Sequence, residues 1–461
     1  MELQPTPFIG YQNKVTFAAR RSHGHFARLS LGLSIASLVA FPAVSLAASI
    51  DIKKPDDARQ AGLESLRLAV QQDGGVPTPS NLDQFVQDKR AAVQLWKALF
   101  WDMQVGSDGV QACASCHFHA GADNRSSSSL NPNADLLLDS REDNISGYFN
   151  ANVVGDTQFE LPGINARLKR EDFPLVKFIQ SLDRTADGRV NPGVGNSNDV
   201  VGSMGIFSST FDGIQLGSAQ DLGSPLADPV FHTADGKPVR QTVARNAPSV
   251  INAVFNFTNF WDGRANPVFN GNDHFGNQNP FSGIYVNGPN GLHVEQIALD
   301  NASLASQTLG PPASTIEMSY GDLNSADRRS FMDIGRKLLQ PGPSGKPLTP
   351  LGKQQVHPFD STLGRLSNYP QTGLKTDYVT LIKKAFADQY WNSTKVATRP
   401  DGVKLTQMEV NFGLFFGLAV QLYESTLVAD RTPFDRWMET GRFNRNFGED
   451  ELAGLNIFVN E

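Results

Sequence analysis

Cys113 and Cys116, in the stretch QACASCHFH from Gln111 to His119, are the only cysteines in 461 residues, and His117 directly follows them. Two thiols two residues apart, with a histidine next in line, are the attachment pattern of a c-type haem. The thiols add across the two vinyl groups of the macrocycle, and the histidine is then held beneath the iron as its proximal ligand. Three other readings fit the same letters. A structural zinc site needs two further ligands at finger-like spacing, and the chain has no second cysteine pair. A thioredoxin-like CxxC belongs in a βαβ pattern, which the flanking sequence does not show. The third is a chance match to a short motif. The other histidines available to the far face of such an iron are His232, His274, His293 and His357. Each reads as readily as a surface or packed residue. His232 and His357 lead because their surroundings are loop-like, whereas His119 lies so close to His117 that it points into a loop.

The elements that must position this motif lie on both sides of it. Upstream, PSNLDQFVQDKRAAVQLWKALFWD predicts a helix. Ser80 and Asp83 have capping-box spacing, and Ala92, Leu95, Trp96 and Leu99 fall on one apolar face. The helix should end near Asp102, because Gly106 and Gly109 follow. Residues 151–237, rich in Gly, Asn, Asp and Pro, read as a loop-rich insertion with short strands, and Ile334 to Asp377 as a second Pro/Gly-rich passage. A short helix is expected around Tyr378 to Phe386. In TQMEVNFGLFFGLAVQLYESTL, Met408, Phe412, Phe415, Ala419 and Leu422 share a helical face. Its uncharged run is too short to span a bilayer, so it is expected as a core helix.

Ahead of all this, Arg20, Arg21 and Arg28 precede the apolar run LSLGLSIASLVAFPAVSLAA, which ends in the small-x-small pattern of Ser45-Leu46-Ala47. Residues 1–47 therefore read as a cleaved signal peptide rather than an anchor, and the mature chain is expected in the periplasm with no stable membrane span. Outside the cytoplasm, two cysteines this close make a poor structural staple, which favours haem chemistry. The 40% hydrophobic content and 30 phenylalanines can supply a real core, which excludes global disorder. A net charge of −7 gives no reason to expect nucleic acid and is compatible with a basic electron donor. The pattern class is mainly α with long irregular connections.

Four segments, WKALFWDMQVGSDGVQACASCH, RNAPSVINAVFNFTNFWDGRA, PPASTIEMS and YESTLVADRTPFDRW, resemble in order segments of the bacterial di-haem cytochrome c peroxidases, a family that includes relatives maturing tryptophan-derived quinone cofactors. The resemblance runs from about Leu95 to Phe458. It implies a cytochrome c-like first domain with a peroxidatic haem, a second domain with an electron-storing haem, and hydrogen peroxide reduced with electrons from a small periplasmic redox protein. It further implies that Trp261 lies between the haems, that Glu317 assists peroxide cleavage, and that Asn246 belongs to an inter-domain calcium site. On the residues alone, Glu317 reads as an exposed loop acid, Trp261 as core and Asn246 as a turn residue. The family often has a distal histidine shortly before RNAP. His232 stands in that region, displaced and without the flanking glycines, and the stretch between Trp261 and Glu317 is longer than in compact members.

The resemblance also sets the expected domains. Residues 48–440 form the first, peroxidatic haem domain with its insertions. Residues 441–461, GRFNRNFGEDELAGLNIFVNE, include a helix with Leu452, Leu455 and Val459 on one face. That helix echoes the one before the first motif and is expected to open a second haem domain, so the chain reads as truncated before a second CxxCH. The alternative is a finished, non-catalytic mono-haem protein for electron transfer or haem binding. A homodimer is a further expectation.

Overall fold

The computed structural model describes residues 50–118, 128–131, 165, 200–228, 231, 237–243, 247–321 and 328–460. Two short helices come first, α1 (Pro55–Gln60) and α2 (Leu66–Gln72), then α3 (Leu82–Phe85), α4 (Lys89–Trp101) and the one-turn α5 (Ala114–His117) that carries the motif. Further along lie α6 (Ser303–Gln307), α7 (Phe331–Leu339), α8 (Tyr378–Ala385), α9 (Gln407–Val410) and α10 (Phe412–Glu424), with α11 (Pro433–Thr440) and α12 (Glu449–Asn460) last. Strands β1 (Ser128–Asn131), β2 (Val200–Phe207) and β3 (Arg240–Thr242) form one antiparallel sheet. Two hairpins follow, β4 (Ile284–Gly288) with β5 (Gly291–Glu295), and β6 (Ala397–Thr398) with β7 (Lys404–Leu405). Among the described residues, helix accounts for 35% and strand for 13%, so the class is mixed with helices rather than simply mainly α. The strands come from connections whose Gly- and Asn-rich composition hides any period-two pattern.

The helix leading to the motif starts later than the capping-box spacing suggests. α3 makes a single turn, Val86 then bridges to Phe386, and Gln87 N donates to Ala385 O at 2.9 Å. α4 begins afresh at Lys89, where the Asp88 carboxylate accepts from Ala91 N at 3.0 Å. Ser80, the expected cap, donates instead to Asp300 at 2.8 Å. The stripe itself is as expected: Ala92, Leu95, Trp96 and Leu99 are buried, and the helix stops at Trp101 with Asp102 as its C-cap. α4 packs against both α8 and α10. Trp96 meets Phe416 edge-on, with ring centroids 5.1 Å apart, the geometry favoured by the ring quadrupoles.

α10 is apolar on every side rather than on one face, and residues 412 to 422 are all buried, so it runs through the core. The predicted helix is interrupted at Asn411, whose side-chain amide donates to Tyr285 O at 2.7 Å and Tyr390 O at 2.8 Å while its oxygen accepts from Tyr285 N at 2.8 Å. α8 lies where expected. α7 takes the first residues of the predicted Pro/Gly-rich passage, because the Ser330–Asp333 capping box starts a helix there. Among the described residues, no helix is long and apolar enough to cross a membrane.

The described chain divides into two compact units, residues 75–429 and residues 50–74 with 430–460. The first contains α3 to α10 and every described site residue. In the second, Ile52, Ala58, Trp437, Met438 and Phe447 form a small core that Leu452, Leu455 and Val459 of α12 flank. The division thus falls at Asp430 rather than after residue 440, and α11 shares its core with α12. The signal segment, residues 1–47, lies outside the described residues, as does most of the 151–237 insertion.

Candidate haem site

The segment from Asp102 to Ala112 is held rigidly before the motif begins. The Asp102 carboxylate accepts from Tyr378 Oη at 2.7 Å, Leu351 N at 2.8 Å and Gln104 N at 2.9 Å. Burial pushes its pKa up, and these donors pull against that. Val105 O accepts from Arg329 at 2.5 Å, and Gly106 O from Lys337 Nζ at 2.9 Å. Both cations converge on Asp221, each 2.8 Å from one carboxylate oxygen, with all three side chains fully buried. The Lys337 contact is an aligned hydrogen bond; Arg329 Nε is close without being aligned. Burial lowers the Lys337 pKa to about 8. Beyond them, Asp108 pairs with Arg240 at 2.7 Å and accepts from Gln111 N at 2.8 Å.

The same segment fixes the loop that carries Glu317. Ser107 N donates to Met318 O at 2.9 Å, Tyr320 N donates to Ser107 Oγ at 2.9 Å, and Ile206 N of β2 donates to Ile316 O at 3.0 Å. Glu317, expected on the residues alone to be an exposed loop acid, is half-buried. Its pKa is raised by burial, against a hydrogen bond from Ser314 and the positive charge of Arg264. Arg264 itself is held by Asp262 at 2.7 Å and lies 3.9 Å over the Phe260 ring.

α5 opens at Cys113, and Cys116 N and His117 N both donate to Cys113 O, at 3.2 and 3.1 Å. No disulfide joins the two cysteines. The His117 Nδ1 lies 3.0 Å from Pro248 O. A carbonyl can only accept, so Nδ1 carries the hydrogen and Nε2 the lone pair, the form that ligates iron. Pro248 stands in RNAPSVIN, and that segment is anchored by Asn252 N to Leu427 O at 2.9 Å and by Ala429 N to the Asn252 side chain at 2.8 Å. Both cysteine thiols lie on one turn beside a correctly polarised histidine. The residues fit a covalently held haem, with Cys113 and Cys116 as thioether anchors and His117 as proximal ligand.

The charges of two carboxylates are felt at the motif. Burial pushes the Cys113 thiol strongly upward, and the negative charges of Glu424, Cys116 and Glu317 push it further. Glu424, the last residue of α10, is 4% exposed, and burial alone raises its pKa to about 8. The Phe100 ring ties the same region together, 6.3 Å from the His117 ring and 6.1 Å from that of Tyr423.

Other predicted residues lie elsewhere. Trp261 is 87% exposed, so it is not core; its neighbour Phe260 turns inward through a left-handed backbone, φ 63°, with Gly263 N closing the turn onto Phe260 O at 3.1 Å. His357 accepts from Phe359 N at 3.2 Å in its own turn, and His293 stands exposed on β5 near Glu295. His274 packs against Phe275 and Phe260; burial and then Arg264, the cation that also acts on Glu317, lower its pKa. His119, His232 and Asn246, with the calcium assignment that rests on the last, lie outside the described residues. Among the described residues, no three His, Cys, Asp or Glu side chains gather to hold a metal ion. An open depression of about 450 Å³ lies beside the lead-in segment, lined by Gln104, Lys353 and Lys375 among others, and contains none of the motif residues.

Sequence reasoning missed Pro248, Arg264 and Glu424, although all three stand in segments quoted above. The signal for Glu424 was an acid closing an otherwise apolar helix. No curated protein and no solved structure matches the chain. Residues 226–442 match the family of di-haem cytochrome c peroxidases. That stretch includes Pro248, Trp261, Arg264, Glu317 and Glu424, and the cysteine motif stands upstream of it. Over residues 226–442, the chain is therefore similar to the di-haem cytochrome c peroxidases.

Proposed function

We propose that the chain is a periplasmic c-type haem oxidoreductase that reduces hydrogen peroxide with electrons from a small redox protein. One arrangement carries the reading: His117 is polarised by Pro248 O, while Glu317 stands half-buried on a loop tied to the lead-in segment that enters the motif. When bound, the haem supplies an iron that exchanges single electrons with donor and oxidant. Cys113 and Cys116 would hold it through thioether bonds, and the Pro248 carbonyl fixes the tautomer and ring orientation of His117. Glu317 takes one proton from peroxide and delivers it to the departing oxygen, a task suited to a carboxyl whose pKa burial has raised. Because Glu317 must first be deprotonated, turnover falls as pH drops through its raised pKa. Export and the periplasmic location rest on the 1–47 segment, Trp261 as an inter-haem link on the family resemblance, and calcium on Asn246.

The CxxCH motif by itself supports a second reading, a non-catalytic electron-transfer or haem-binding protein. Chain produced with a haem-attachment system separates the two. We expect one haem's mass increment, reduced c-type absorption bands, and rapid reoxidation by hydrogen peroxide. Glu317→Gln should slow that reoxidation by about 10²–10⁴-fold with the bands unchanged. A loaded, reduced chain that peroxide leaves reduced would establish the carrier instead.

A further inference from the structure

Glu424 is the buried acid that the proposed peroxide chemistry leaves unused. It is 4% exposed, and its carboxylate has neither a hydrogen-bond donor nor a cation acting on it among the described residues. An ionised carboxylate in such a place is costly unless something positive faces it. It closes the core helix next to Tyr423, which shares the Phe100 ring with His117, and its negative charge is felt at Cys113.

We propose that Glu424 is a redox-linked proton-holding residue of the haem site, taking up a proton when the iron beside it is reduced and releasing it on oxidation. The inference rests on the haem reading of CxxCH. The balance is one electron from the reductant and one proton from solvent, which turns the carboxylate into a carboxylic acid; oxidation returns both. The physical cause is charge. The ferric centre carries one positive charge more than the ferrous one and favours the carboxylate, and its loss raises the proton affinity of Glu424.

The surrounding titratable groups do not compete for this role. Cys113 loses its thiol on thioether formation. Tyr423 stands next to Glu424 on α10, with a pKa pushed upward by burial and then by Glu424 and Asp360. Asp360 is paired with Lys97 of α4 at 2.8 Å. Glu317 reaches Cys113 from its own loop and is answered by Ser314 and Arg264. On α7, Asp333 pairs with Arg399 at 2.7 Å and Lys337 with Asp221 at 2.8 Å, and on α9 Glu409 closes its own capping box with Thr406. Neither these nor Arg336 of α7 acts on Glu424, whose shift comes from burial alone.

The test is a spectroelectrochemical titration of the haem-loaded full chain between pH 6 and pH 10. We expect the midpoint potential to fall as pH rises, approaching a tenfold change in the reduction equilibrium per pH unit, ~59 mV for one electron. Glu424→Gln should flatten this slope and Glu317→Gln should keep it. The reduced-minus-oxidised infrared spectrum should gain a protonated-carboxyl band that Glu424→Gln lacks. A flat potential in the unsubstituted chain overturns the proposal without any variant, so a Glu424→Gln chain that fails to fold does not shelter it. A slope surviving Glu424→Gln also overturns it and assigns the proton to the haem propionates. A chain carrying no haem mass would remove the haem reading itself, whereas a loaded chain with a flat potential removes only the role of Glu424.

Discussion

Glu424 and Glu317 show how position rather than residue type sets an acid's proton affinity. The folded state holds the Glu424 proton more tightly than the unfolded chain, with a pKa of about 8 against the ordinary 4.5. Its contribution is therefore least unfavourable below the ordinary value, and stability falls as pH rises towards about 8. Urea unfolding should lose up to ~1.4 kcal/mol per pH unit across that window, and Glu424→Gln should remove most of this slope. At this scale the sequence was legible for the motif itself, because CxxCH needs no context to be noticed. Pro248 was not, since the group that polarises His117 is a backbone carbonyl 131 residues away in the chain and carries no side-chain signature. Trp261 was misleading in another way. Its residue type suggests burial, but the left-handed turn at Phe260 sends the neighbouring ring inward and leaves the indole outside.

Among the elements, the apolar helices were readable and the polar clamps between them were not. The α4 stripe and the α10 core run follow from spacing alone. The break at Asn411 and the late start of α4 follow from hydrogen bonds to β4, α8 and the turn after α8, which no local pattern encodes. The Asp221–Arg329–Lys337 cluster ties the connection between β2 and β3, the lead-in segment and α7 to one buried point, and Asp221→Ala would leave two cations there without their anion. We expect a loss of about 3–5 kcal/mol, measurable as a lower urea midpoint. A subtler change addresses the Glu317 loop alone. At Gly205 of β2, an added Cβ would lie 2.0 Å from Ile316 O, so Gly205→Ala must push that carbonyl and the adjacent Glu317 away. Peroxide reoxidation should fall in this variant while covalent haem content stays unchanged.

For the whole molecule, the residues that flank the long unit join each other in a second one. Asn456 and Asn460 of α12 offer their side-chain amides to an extended segment. Asn456 accepts from Ile52 N at 2.6 Å and donates to Ile52 O at 2.8 Å, and Asn460 does the same with Ile50 at 2.8 and 2.9 Å. Two asparagines one helical turn apart thus present to the backbone what a neighbouring strand would. Removing both with Asn456→Ala and Asn460→Ala should cost about 1 kcal/mol per lost bond at most. Hydrogen exchange should quicken at Ile50, Ile52 and along α12 while α4 and α10 stay unchanged. The α12 stripe was legible as amphipathic, yet its partner was not, because Ile52 and Asn456 are 404 residues apart.

The burial of Cys113 carries a consequence for timing. A thiol held protonated is a poor nucleophile, so a fully folded chain would offer its first anchor to an incoming haem in an unreactive state. The core against which that partly buried cysteine packs includes α10, which is synthesised long after the motif. Under the proposed reading, the window for thioether formation lies between the emergence of Cys113 and the docking of α10. Maturation and folding are then a sequence with a deadline, and chain that folds first should stay colourless until it is opened again.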